Sequence, residues 1–207
     1  LEARTVGANW TFSPVCDLNM NFRNPLVNNR SLTDNPELAC KMLPNVIRGM
    51  QDGGIAACAK HFPGDGTEYR DQHLVTSVNS LSMEEWWENY GRVYKAVIAG
   101  GVNSIMLGHI SLPSYTGGDD GRLPATLSHK LITGLLKGEL DFGGIVVTDA
   151  LNMGGFAGWY NTHEESEIEA LKAVKGSFTQ AGQFQVIIGN DVSLFYNDFT
   201  AAAGIEG

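Results

Sequence analysis

The stretch Lys60 to His73, KHFPGDGTEYRDQH, places histidines, a lysine, an arginine and carboxylates around two glycines and a proline, directly after the apolar run IAACA. Three chemistries are open to it: a solvated loop, a metal site, or half of an active site. Asp71 and His73 stand closest in chemical terms. A carboxylate two residues from an imidazole can accept its ring N–H, fix the tautomer and raise its pKa into the working range of a general acid or base. Asp-x-His also occurs as a plain solvated pair. With His61 and Asp65 these residues supply enough N and O donors for a divalent ion, but their irregular spacing departs from metal-ligand patterns.

Lys60 and His61 end an apolar run, where a lysine is costly unless it reaches water or a partner. Neighbouring strand residues point to opposite faces. Both can line one site only if the strand breaks there, as the Phe-Pro-Gly immediately downstream suggests. Asp149 closes GIVVTD; it reads as the N-cap of a following helix or as a nucleophile or base at a rim. Arg30, in VNNRSLTDNPE, is placed to pair with Asp34 or to point into the same rim. His109, ending NSIMLGH, reads as a core-edge or supporting histidine, and Trp86–Trp87 as helix residues, one packed and one partly exposed.

Elements that would position these side chains recur along the chain. WTFSPVCD, IAACAKH, NSIMLGH, GIVVTD and FQVIIGND are short, nearly continuous apolar runs, the pattern of strands buried on both faces of a parallel sheet. Between them lie helical stretches with start and stop signals. NPELACKMLPNVIRGMQDGG opens on a polar cap and proline and holds Pro44 as a kink. SMEEWWENYGRVYKAVIAGG and THEESEIEALKAVKG open on capping boxes at Ser82/Glu85 and Thr162/Glu165. SHKLITGLLKGELDFGG repeats the helix and Gly-Gly stop. The alternation predicts right-handed βαβ units and a parallel sheet, open or closed into a barrel. Either way a ligand site lies at the carboxyl ends of the strands, where Asp17, Lys60 with His61, His109 and Asp149 fall.

Composition narrows the function. The 207 residues are 43% hydrophobic and 18% charged with 25 glycines, an ordinary make-up for a folded α/β enzyme. A formal net charge of −9 argues against a nucleic-acid partner, which needs clustered Lys and Arg. Cys16, Cys40 and Cys58 form no disulfide framework. No apolar run reaches the roughly 18 residues of a membrane span. The opening LEARTVG lacks a secretory leader's layout and reads as the last turn of a helix; the compartment is left open, with the cytoplasm slightly favoured. No Gly-x-Gly-x-x-Gly turn or phosphate loop is present, and no cofactor is expected.

Taken in order, RSLTDNPE, KHFPGDG with DQH, IMLGHI and GGIVVTDALNMGG resemble the successive motifs of glycoside hydrolase family 3. They are most similar to its β-N-acetylglucosaminidase branch, over roughly Trp10 to Gly155. The resemblance implies a TIM-type (β/α)8 barrel whose first strands, before Trp10, are missing here, and the chain is taken as a single partial catalytic domain, residues 1–207. It implies Asp149 as nucleophile, His73 as acid/base with Asp71 as its partner, and Arg30, Lys60 and His61 as grips on sugar hydroxyls, with no metal. The expected partner is a carbohydrate, cleaved at terminal β-linked N-acetylglucosamine-type sugars by an exo-acting retaining mechanism; no oligomeric state follows. Alternatives are a β-glucosidase, a glycoside phosphorylase, a non-catalytic sugar-binding barrel and a metal-dependent barrel enzyme. Asp65 stands where the branch often has His. After Leu171, VKGSFTQAGQFQVIIGND replaces an expected Ala-Gly-x-Asp strand.

Overall fold

The computed structural model describes residues 2–175 and the short strand Val186–Ile187. Its strands, all parallel, are β1 (Cys58–Phe62), β2 (Ser77–Val78), β3 (Ser104–Leu107), β4 (Ile110–Ser111), β5 (Ile145–Thr148) and β6 (Val186–Ile187). β1, β3, β5 and β6 form one sheet in that order, and β2 pairs with β4. The sheet order follows the chain order, so each strand and the helix after it advance the wall by one place. It has no reversal of the kind that makes an open doubly wound sheet.

WTFSPVCD runs beside β1 as an extended segment, bridging at Trp10–Ala56 and Val15–Lys60. It is not the regular strand its apolarity predicts. Pro14 has no N–H to give to the ladder; Ala56 and Lys60 each exchange two backbone bonds with the segment, and between them only the Cys58 N–H reaches it, at the Ser13 carbonyl, 2.8 Å.

Helices between the strands start where their caps predict. Asn35 accepts the N–H groups of Glu37 and Leu38 ahead of Pro36–Asp52, which contains Pro44. Ser82 and Glu85 form a complete capping box before Met83–Trp86; the helix then passes through π-helical geometry at Trp87–Gly91 into Arg92–Ala99. Ahead of Lys130–Glu139, whose cap position is His129, the Ser128 hydroxyl accepts the Leu131 N–H at 3.3 Å. At His163–Lys175, Thr162 accepts the Glu165 N–H, but the Glu165 carboxylate reaches back to Asn161 instead of Thr162, so the expected box is displaced by one residue. The residues of VKGSFTQAGQFQVIIGND beyond that helix lie outside the described residues, apart from Val186–Ile187.

One face of the sheet carries all the large packing. Ala57, Ala59, Phe62, Ile105, Leu107 and Val146 meet Leu43 and Ile47, Trp86, Tyr90 and Tyr94, and Leu131 and Leu135 in a single buried cluster. Burial of each large apolar side chain contributes about 1.5–3 kcal/mol, which holds three helices to this face. Trp86 is fully buried and Trp87 partly so, under the Lys95 ammonium. The alternate residues Cys58, Met106 and Val147 face the other way and pack with Trp10, whose indole N–H donates to Ser104. Both faces are thus buried, as near-continuous apolar strands require. Among the described residues no helix is long and apolar enough to cross a membrane.

Candidate active site

The register of β1 against β3 shifts between Lys60 and Phe62, a bulge that re-aims the side chains at the strand tip. His61 is buried there. Its Nδ1–H donates to Asp17 Oδ2 at 2.7 Å and its backbone N–H to Asp17 Oδ1 at 3.1 Å. Nε2 is left 3.7 Å from Asp149 Oδ2. Asp17, at the end of the extended segment, is fully engaged: its Oδ1 also accepts the Asp65 N–H at 2.8 Å. It serves to orient His61.

Lys60 is half-buried beside the same carboxylate. Burial lowers its pKa below the ordinary lysine value, Asp149 partly offsets that, and the Arg30 charge adds to the depression. Arg30 ends a short turn of helix, exposed, its Nη1 reaching the Leu26 carbonyl. The expected neighbours Arg30, Lys60, His61 and Asp149 are therefore in one electrostatic neighbourhood.

Asp149 follows β5 and donates its N–H to the Leu107 carbonyl of β3 at 2.9 Å. Its Oδ1 accepts the Ala150 N–H at 2.8 Å, and its side chain is 19% exposed. It does not cap a helix: the next one, Gly154–Ala157, has Met153 at its cap position. His109 supports this turn. It is fully buried, donates Nε2–H to the Ala150 carbonyl at 2.9 Å and meets Thr126 Oγ1 through Nδ1 at 3.0 Å. Burial lowers its pKa, keeping the ring neutral, with Nδ1 as acceptor.

Asp71 and His73 are hydrogen-bonded to each other, one of the arrangements their spacing leaves open. Asp71 Oδ1 accepts both the Nδ1–H, at 2.7 Å, and the backbone N–H of His73, at 2.8 Å. The imidazole is 53% exposed, with Nε2 free of that pairing. Backbone bonds tie this loop to the one after Asp149: Gly154 N–H to His73 O at 2.7 Å and Gly155 N–H to Gln72 O at 3.1 Å. A Cβ on Gly154 would lie 2.3 Å from Leu74 O, and one on Gly155 2.5 Å from Gln72 O. The Gly-Gly of ALNMGG is what lets the loops touch.

The Pro-Gly-Asp-Gly segment between these residues is wedged in place. Gly64 and Gly66 have φ of +122° and +107°, and a Cβ would strike the Tyr90 ring or the Leu18 carbonyl. Trp86 donates to Pro63 O, Asn79 to Gly64 O and Tyr90 to Asp65 O. Asp65, offered by sequence as a metal ligand, is buried; it accepts from Asn24 at 2.8 Å, Gly66 at 2.7 Å and Gln72 at 3.1 Å. Among the described residues no three His, Cys, Asp or Glu are grouped to hold a metal ion. The four considered are divided between the buried Asp17 cluster and the exposed Asp71–His73 pair.

Sequence reasoning noted Asp17 only as a polar strand tip and passed over Gln72. Strand-like alternation through Asp71-Gln72-His73 would have turned Gln72 to the side opposite the dyad.

A family model described as "Glycosyl hydrolase family 3 N terminal domain" matches residues 1–175. A "Beta-N-acetylglucosaminidase/beta-glucosidase" of Cellulomonas fimi is 44% identical over 162 residues, 75% of this chain and 29% of that protein. A "Beta-hexosaminidase A" of Pseudoalteromonas piscicida is 31% identical over 183 residues, 83% of this chain and 30% of its own length. Among solved structures, a family 3 β-N-acetylglucosaminidase from Paenibacillus sp. superposes with a TM-score of 0.79 at 33% identity. A β-glucoside phosphorylase, BglX, superposes with 0.80 at 35% identity. Each of these two comparisons covers 91% of this chain and 34% of the other. The chain thus spans about a third of the length of these relatives.

Proposed function

The chain belongs to glycosyl hydrolase family 3, and from that premise we propose that residues 1–207 are part of the catalytic (β/α)8 barrel of an exo-acting retaining glycosidase. Sequential parallel strands, helices on one face and small-to-medium side chains on the other suit an arc of such a barrel. The substrate class is a terminal β-linked N-acetylglucosamine-type sugar, in keeping with relatives named for that activity.

Asp149 Oδ1 is occupied by the Ala150 N–H, which leaves Oδ2 to attack the anomeric carbon. As that bond forms, the glycosidic C–O bond breaks and its oxygen takes the proton of His73 Nε2. Asp71 holds Nδ1 and stabilises the imidazolium before transfer. In the second half His73 Nε2 removes a proton from water, whose oxygen attacks the same carbon and releases Asp149. His61, Lys60 and Arg30 would hold hydroxyls of the sugar, with His61 turned to the task by Asp17.

One observation carries this reading: a carboxylate and an imidazole 3.7 Å apart at a strand tip, with a carboxylate-paired second imidazole bonded through its loop to Gly154 and Gly155. The test is a 5-fluoro glycosyl substrate, which slows turnover of the intermediate, applied to the polypeptide that carries this chain. Peptide mapping should find the label on Asp149; a label on another residue overturns the assignment.

A second reading, phosphorolysis, is favoured by the acid/base being an imidazole, which in its neutral form puts no negative charge in the path of an anionic acceptor. Turnover in inorganic phosphate separates the two: glycosyl phosphate marks a phosphorylase and free sugar alone a hydrolase.

A further inference from the structure

Gln72 lies between the two members of the Asp71–His73 pair, and it is 1% exposed while His73 is 53% exposed. Around it the loop has little apolar anchorage: Tyr69 is 64% and Leu74 73% exposed. Gln72 supplies the anchorage by hydrogen bonds. Its Nε2 donates to Asp65 Oδ2 at 3.1 Å, its Oε1 accepts the His109 N–H at 2.8 Å, and its backbone carbonyl accepts the Gly155 N–H at 3.1 Å.

These partners lead to the rest of the site. The Asp65 N–H is bonded to Asp17, which orients His61. His109 donates to the carbonyl of Ala150, the residue after Asp149. A continuous chain, Asp17, Asp65, Gln72 and His109, all buried, and then the partly buried Ala150, therefore joins the side that would grip the sugar, the loop that would move the proton and the turn that holds the carboxylate.

The polarity of the chain specifies a side chain with one donor and one acceptor. Asp65 Oδ1 already accepts from Asn24 and Gly66, so its Oδ2 needs a donor; the His109 N–H needs an acceptor. A carboxamide meets both demands and a carboxylate only the second. We infer that Gln72 is a positioning residue that fixes His73 relative to Asp149, an assignment that rests on the glycosidase reading above.

The experiment uses the polypeptide that carries this chain and compares a dinitrophenyl glycoside, whose leaving group departs without protonation, with a phenyl glycoside, which needs it. Gln72→Glu sets acceptor against acceptor at Asp65; Asp65→Asn with Gln72→Glu reverses donor and acceptor and restores both bonds. Gln72→Asn, neutral and one methylene shorter, reaches only one partner and serves if Gln72→Glu does not fold. Each single variant should lower kcat/KM for the phenyl substrate by about 10²-fold, the scale of general-acid catalysis, and for the dinitrophenyl substrate only a few-fold. The double variant should recover most of the loss. Equal losses on both substrates, or no recovery in the double variant, would overturn the role of Gln72 while His73→Ala still discriminates between them. If His73→Ala itself fails to discriminate, the acid assignment falls and the Gln72 inference falls with it.

Discussion

Gly155 gives its N–H to the carbonyl of Gln72 at 3.1 Å, and its Cα stands so close that a methyl group there would lie 2.5 Å from that oxygen. The loop carrying His73 and the turn after Asp149 therefore meet backbone to backbone, and their separation is set by the absence of a side chain. Gly155→Ala should push them apart. The expected cost is about 1–3 kcal/mol of stability, as for other overpacked sites, together with a loss of kcat concentrated on substrates with poor leaving groups. Denaturant unfolding and a leaving-group series would measure the two; a fully active, fully stable variant would contradict the close approach.

Asp17 accepts two backbone N–H groups and the His61 ring at once. In Asp17→Asn one oxygen can keep the two backbone bonds, but an amide nitrogen then faces Nδ1. His61 must take the tautomer with its proton on Nε2, so the atom facing Asp149 changes from acceptor to donor. A hydrogen bond to a charged group, worth about 1.5–3 kcal/mol, gives way to a neutral one worth about 0.5–1.5 kcal/mol. The expected result is a ten- to hundredfold fall in kcat/KM on every substrate, whatever its leaving group. A selective loss on poor leaving groups would instead put His61 in the proton-transfer step.

The strands and helix starts were legible because their signals are local. Asn35 and Ser82 cap the helices they precede, and the strands fall in the apolar runs that end at His61, His109 and Asp149, with β1 running one residue further to Phe62. The spacing of Asp71 and His73 allowed their hydrogen bond without requiring it. The rest depended on contacts between distant segments. Nothing near Asp17 in the chain reveals that it orients a histidine 44 residues away. Gln72 was hidden because its partners, Asp65 and His109, come from separate loops. The break in WTFSPVCD was available from Pro14 alone, and the apolar pattern masked it.

Asp65 makes stability depend on pH in a direction opposite to most carboxylates. Burial first, and then the Asp17 charge, push its pKa up to about 6, against about 4 in an unfolded chain. The folded state holds the proton more tightly, so stability from this group rises as pH falls through 6 and is fully gained below about 4. Glu85, whose pKa is lowered by its bonds to Ser82, contributes in the opposite sense, so the Asp65 effect has to be isolated by difference. The stability gap between the native chain and Asp65→Asn should shift by about 2 kcal/mol in favour of the native chain between pH 7 and pH 4. Denaturant titrations across that range give the gap directly; a gap independent of pH would mean that Asp65 titrates as an ordinary carboxylate.

Lys60 sets stability against function. Its ammonium is half-buried at the end of β1, its pKa is lowered chiefly by that burial, and the Arg30 charge opposes it further; the Asp149 carboxylate compensates only in part. A lysine whose folded pKa lies below its unfolded value destabilises the fold while it is charged, and the cost fades as pH rises through the folded pKa. Lys60→Met keeps the length of the side chain, removes the charge and places an apolar group beside Cys58 and Met106 on the same face. The melting temperature at neutral pH should therefore rise, and the gain should shrink at alkaline pH, where the native lysine is neutral. Activity should move the other way: a charged grip on a sugar hydroxyl is worth about 1.5–3 kcal/mol, so kcat/KM should fall ten- to hundredfold. A variant that loses both stability and activity would show instead that the attraction between Lys60 and Asp149 outweighs the burial of the charge.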